Sequence, residues 1–236
     1  MSHIIIDQIK IEPSDLTAWE RVLYANLLEK LTPYLSRTAQ SIVNDGNYDL
    51  SKLPEELRKV IIPELENLYI QNTIQFSNSE GDAIPVKPSD IATAASGWAK
   101  EYGYDLIVGL TNTTEKLVQN VLSYSMANEG VTLGKVIEQL SPAFGKQRAL
   151  AIAVTETTRA NAKAMQGLQE HYKQRYQVEM VRVWMTNRDE LVCPICGPLH
   201  KKPEMYWNDK FPDGSPAHPL CRCHIVLRRK SRYDRT

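Results

Sequence analysis

The chain has 236 residues, 42% of them hydrophobic and 24% charged, with 28 Lys and Arg against 28 Asp and Glu. That balance excludes a collagen-like, low-complexity or highly charged disordered chain, and the length allows one large domain or two small ones, each able to bury a core. No run approaches the roughly 20 apolar residues of a bilayer-crossing helix, so no membrane partner is expected.

Charge is divided unevenly along the chain. Residues 1–150 hold 13 Lys and Arg against 19 Asp and Glu, a balance of −6, and residues 151–236 hold 15 against 9, a balance of +6. Met1 to Lys10 carries neither a basic leader region nor a cleavage site, which predicts synthesis in a reducing cytoplasm. After Ser14, a candidate N-cap, Leu16, Trp19, Leu23, Leu27 and Leu31 recur every three or four residues, the pattern of an amphipathic helix ending near Pro33. Asp45-Gly46-Asn47 reads as a turn. Pro54-Glu55-Glu56 opens a further helix, with the acids facing the exposed N–H groups of its first turn and Pro63 kinking or dividing it.

The stretch 77–88 lacks periodicity and is rich in turn formers, making it the best internal break of a helical region covering 1–143. Helical signals resume at Ser89. Thr114 and Glu115 open another helix that buries Leu117, Val118, Val121 and Leu122, and Thr132 caps a short one containing Val136, Ile137 and Leu140. Lys146 to Tyr176, rich in good helix formers and interrupted by Gly167, is the longest predicted helix. The period then changes. Val178 to Met185 reads as a strand, with Ile225-Val226-Leu227 as its partner and Asp213-Gly214 as a turn between them. The fold class expected is mainly α, a helical N-terminal region followed by a small α+β domain over 144–236.

All four cysteines lie in the last quarter of the chain, in Cys193-Pro-Ile-Cys196 and in His218-Pro-Leu-Cys221-Arg-Cys223. A C-x-x-C turn aims two thiolates at one point, and a second cluster completes a tetrahedron around zinc. Cys193, Cys196 and Cys221 are the firmest ligands, with either His218 or Cys223 as the fourth. His218-Pro-Leu-Cys221 repeats the form of the first knuckle, whereas Cys221 and Cys223 share one face of an extended strand. Two disulfides would need an oxidising compartment, and inert packing leaves the spacing unexplained. Enough donors are present to close the shell, so the zinc expected is structural, replacing core that the loop-rich 198–217 stretch lacks.

Thr155-Glu156-Thr157-Thr158-Arg159-Ala160-Asn161, Trp184 to Asp189, the Cys193 knuckle and Pro216-Ala-His218-Pro-Leu-Cys221-Arg-Cys223 occur in an order and spacing that resemble the phage Mu F-like minor head protein family, also called the phage head morphogenesis domain. The resemblance covers about 145–230. It implies a minor structural head protein of a tailed phage, partnered by the portal and other head proteins, located in the virion head interior or at the portal vertex, and involved in head assembly and in packaging or ejection of DNA. The motif's polar content, with the resemblance, further suggests that Glu156, Arg159 and Asn161 dock the long helix onto the zinc-bearing part.

No enzyme is expected. The chain has no G-x-S-x-G, H-E-x-x-H or phosphate-binding glycine loop. His171 reads as a solvated helix residue and His200 as a surface or outer-shell residue; a metal-bound water with Glu204 or Asp209 as base is the remaining, less favoured hydrolytic route. The alternative class is a nucleic-acid-binding zinc module outside any virion, in which Arg182, Arg188, Arg222, Arg228, Arg229, Lys230 and Arg232 would meet phosphates and Tyr206-Trp207 would stack on bases.

Overall fold

The computed structural model describes residues 11–79, 83–128, 130–187, 192–207 and 209–233. Among these the elements follow as α1 Ala18–Asp45, α2 Leu53–Ser79, α3 Pro88–Ala127, α4 Leu133–Phe144, α5 Lys146–Tyr176, β1 Met180–Met185 and β2 His224–Arg229. The protein is mainly helical with a small two-stranded sheet, as the sequence predicts. None of the helices is long and apolar enough to cross a membrane. Two compact units emerge, each assembled from separate stretches of chain: one from 17–64 and 99–153, the other from 11–16, 65–98 and 154–233.

In the first unit, α1 is capped by Thr17 rather than by Ser14, which lies in the 3-10 turn Pro13–Asp15. The Thr17 hydroxyl accepts from the Glu20 N–H and the Glu20 carboxylate accepts from the Thr17 N–H, so two otherwise unpaired donors are satisfied reciprocally. Leu23, Leu27 and Leu31 are buried, while Trp19 is 38% exposed and stands outside the stripe. The helix does not stop at Pro33. Tyr34, Thr38, Ala39 and Ile42 beyond it are all buried, and their burial outweighs the roughly 3 kcal/mol that an interior proline costs. Gly46, at φ +61°, ends the helix in the left-handed region that glycine adopts without strain. Helix α4, capped by Thr132, packs against α1 and stacks Phe144 on Tyr34 with centroids 6.2 Å apart.

Two further helix boundaries differ from expectation. Pro63 does not divide α2, which buries Leu57, Ile61, Leu65 and Leu68 on either side of it. Thr114 does not start a helix: its hydroxyl donates to the Leu110 carbonyl at 2.8 Å, and Thr111 and Thr113 bond one turn back in the same way. Their polar groups are thus satisfied inside the helix, and α3 runs on for 40 residues, longer than the 31 of α5.

In the second unit β1 and β2 pair antiparallel, with Trp184 opposite Ile225 and Arg182 opposite Leu227. The outer edge of β1 is closed by the chain at 201–204, where Trp184 donates its N–H to the Lys202 carbonyl and accepts from Lys201. Both faces of β1 are covered, so the expected alternation collapses into a nearly unbroken buried run. The 198–217 stretch has more core than its proline content suggests. Trp207 is fully buried there, meets Trp184 edge-on at 5.5 Å, and donates its indole N–H to the Lys202 carbonyl. This core continues through Met165, Leu168 and Tyr172 of α5 and Tyr69 and Phe76 of α2. The break expected at 77–88 falls between Ser79 and Pro88, and Tyr172 pins it by exchanging two hydrogen bonds with the backbone of Ile84.

Candidate metal centre

Two backbone features bring the knuckles into being. The Cys193 carbonyl accepts from both Cys196 and Gly197 N–H groups, which tightens the first knuckle, and the Cys196 N–H lies 3.3 Å from the Cys193 sulfur. The second knuckle turns where Cys221 N–H meets the His218 carbonyl, with Leu220 at φ +62°. All four cysteines are buried and unbridged.

The donor atoms converge on two triangles that share Cys196: Cys193, Cys196 and His218, and Cys196, Cys221 and Cys223. Cys196 and Cys221 sulfurs are 3.7 Å apart, and His218 Nε2 lies 3.6 Å from Cys196 and 3.0 Å from Cys193. A tetrahedral ion held at about 2.3 Å from sulfur has ligand-to-ligand edges of about 3.8 Å, so the Cys196 to Cys221 separation fits such an edge. His218 places Nδ1 2.7 Å from the Pro219 carbonyl. Donation across that contact puts the proton on Nδ1 and leaves the Nε2 lone pair facing the sulfurs, the tautomer that a metal ligand requires. A cavity of about 20 Å³ lies among these groups, with Asn187, Val192 and Arg222 on its wall.

The sulfurs also show what a cation would meet. Hydrogen bonds from Cys196, then Cys223, draw the Cys221 thiol well below its usual range, and the bond to Cys221 pushes Cys196 up. Cys223 is pulled down by Cys196 but pushed up more by Cys221 and by burial, reaching about 12. The sulfurs are thus close enough to compete for protons, which a bound metal ion would replace. The buried indole N–H of Trp184 has no hydrogen-bond partner of ordinary geometry and acts on Cys223, whose thiolate it favours.

Helix α5 grips the second knuckle at two points and the start of β2 at a third. Thr155 Oγ1 accepts the Leu220 N–H at 3.0 Å, the Thr158 hydroxyl donates to the Cys221 carbonyl at 2.6 Å, and Asn161 Oδ1 accepts the Ile225 N–H at 2.7 Å. Asn161 also donates to Asn72 of α2. Of the other residues expected at this junction, Glu156 and Arg159 pair with each other along the helix at 3.4 Å. Thr158 was not singled out as a contact, although 155, 158 and 161 share one helix face by their spacing.

The remaining candidates lie apart from the cluster or serve other partners. Arg229, Lys230 and Arg232 are exposed, Lys230 pairing with Glu179 at 2.8 Å. Arg228 is half-buried and turns one amino group to the Leu227 carbonyl. Arg188 and part of the Trp184 to Asp189 motif fall outside the described residues. Glu204 is held by Arg182 at 2.7 Å and by Gln169, and Tyr206 is exposed while Trp207 is core. His171 is not simply solvated, because its Nε2 is buried.

Fold and cluster together define a mainly helical protein whose C-terminal part gathers a Cys/His set within metal-binding distance. Residues 116–226 match the family described as Phage Mu protein F like protein. The resemblance read from the four motifs holds, with its start moved from about 145 to 116, so that the match takes in the end of α3 and all of α4. The matched family is a phage head morphogenesis family, and the match spans 111 of the 236 residues. Comparison with curated proteins and with solved structures gave no match.

Proposed function

We propose that this protein is a non-catalytic minor component of a tailed-phage head, associated with the portal, whose C-terminal part is fastened by one structural zinc ion. The observation that carries the zinc reading is the convergence of two chain-distant knuckles to a 3.7 Å sulfur-to-sulfur separation, with His218 Nδ1 2.7 Å from the Pro219 carbonyl and Nε2 on the side of the sulfurs. Cys193, Cys196 and Cys221 would hold the ion, with His218 or Cys223 as the fourth ligand. A thiolate-rich tetrahedral set suits zinc over the oxygen-seeking magnesium or calcium. The ion would supply a crosslink between 193–196 and 218–223, and α5 would carry that rigidity through Thr155, Thr158 and Asn161.

Support for the head-protein reading comes from the family match over 116–226. The absence of catalysis is favoured by the engagement of Glu204, one of the two candidate bases, in a part-buried ion pair with Arg182. Packaged DNA is a second partner in this reading, met by the exposed Arg229, Lys230 and Arg232. Mass spectrometry of purified virions, with crosslinking to the portal, tests the assignment. A few copies per particle, linked to portal peptides, is the expected result; absence from mature particles and from proheads alike would overturn it.

A further inference from the structure

Away from the cysteine cluster, a cavity of about 310 Å³ opens where α5 meets the end of α2 and the start of α3 within the second unit. This is the small end of the range for ligand sites. Its wall has an acidic and an aromatic component. Asp90 and Glu170 supply two carboxylates against one ammonium, Lys163, which is already bonded to Gln166 at 3.0 Å. Trp98 and Tyr69, with centroids 5.8 Å apart, supply the rings.

Two polar groups of this wall matter most. Tyr69 is 3% exposed, and its hydroxyl lies close against the backbone of Gly167. The group reaches the cavity because Gly167, on the same wall, has no side chain: a Cβ there would stand only 1.8 Å from the Tyr69 oxygen. Burial pushes the phenol up to about 12, so it stays a neutral hydroxyl with lone pairs to offer. One helical turn further along α5, the buried His171 Nε2 lacks a partner. An orphaned polar group of this kind carries a desolvation cost that a bound ligand would relieve.

We propose that this cavity is a recognition pocket for an arginine side chain presented by a protein partner. A guanidinium is planar and can lie against the Trp98 ring while its N–H groups, which are donors only, meet acceptors at Glu170, Asp90 and Tyr69. An anion would face the two carboxylates and is disfavoured. A neutral apolar group would leave His171 Nε2 unpaired. This inference stands on the cavity alone and is independent of the head-protein reading.

The test uses the whole chain and two small probes, N-acetyl-arginine amide and N-acetyl-citrulline amide, which share a shape but differ in charge. NMR titration should shift the Trp98 indole and His171 ring signals with the arginine probe, and citrulline should bind at least about tenfold more weakly. Glu170 is exposed, so Glu170→Gln should fold normally and weaken the arginine probe by about tenfold. Equal binding of the two probes, no shift at either ring, or an unchanged affinity in Glu170→Gln would each overturn the assignment.

Discussion

Gly167→Ala gives a direct measure of how tightly α5 is pressed onto α2. In an exposed helix the change would stabilise by up to about 1 kcal/mol, because alanine is the better helix former. Here the added Cβ would lie 1.8 Å from the Tyr69 hydroxyl oxygen and 3.0 Å from Cζ of the same ring, and Tyr69 is held in the core beside Trp98. Ordinary contact is about 3.5–4 Å, so the ring or the helix must move. Overpacking of this kind costs about 1–3 kcal/mol, which outweighs the propensity gain and gives a net loss of up to about 2 kcal/mol. Tyr69→Phe deletes the nearest atom and leaves the 3.0 Å contact as the tight one, and its own cost is measured by the single variant. The double variant should therefore recover most of the loss, a coupling of about 1 kcal/mol or more in a double-mutant cycle. Urea unfolding of the four proteins measures it. A Gly167→Ala protein more stable than the parent, or a cycle with no coupling, would refute the close approach.

Three other outcomes are expected. Thr158→Val removes the 2.6 Å bond to the Cys221 carbonyl while keeping side-chain shape, so stability should fall by about 1–2 kcal/mol in denaturant titration and metal release to a chelator should speed up; unchanged release would separate α5 from the cluster. Because folding raises the Tyr69 phenol from 10.0 to about 12, the folded state keeps a proton that the unfolded chain loses, and stability should be complete below pH 10 and decline as pH rises toward 12. Tyr69→Phe should flatten that decline in alkaline melts, and an identical slope in the two proteins would contradict it. DNA binding should weaken with added salt, and Arg229→Ala/Arg232→Ala should reduce the slope of log K against log salt by about 2, or leave it unchanged if these cations make no phosphate contact.

Local chemistry made much of this fold readable. The Lys146–Tyr176 helix, the Thr132 cap, the Gly46 turn and the β1 and β2 strands all announce themselves through propensity, capping and period. Prolines inside helices read as breaks because their intrinsic cost is set against an isolated helix, whereas Tyr34 and Ile42 beyond Pro33 gain burial that offsets it, and Thr114 reads as a helix start because its bond back to Leu110 leaves no mark in the sequence. Cysteine spacing marked the cluster because chelation constrains distance along the chain. Its support did not show in the same way, since Thr158 acts through a bond across 63 residues and Trp184 through a buried indole, neither of which a local pattern encodes. The same limit hid the cavity beside Gly167, which in sequence was only a break in helix propensity.

The central claim, that one metal ion joins the two knuckles, is tested most directly by metal analysis of the purified chain together with Cys196→Ser. Cys196 is the residue common to both donor triangles, so its loss should damage any four-ligand arrangement drawn from them. The account predicts about one zinc per chain in the parent protein, and in the variant a fall to trace occupancy with loss of thermal stability. A parent protein prepared without chelator that carries no zinc, or a Cys196→Ser protein that retains it in full, would contradict the account.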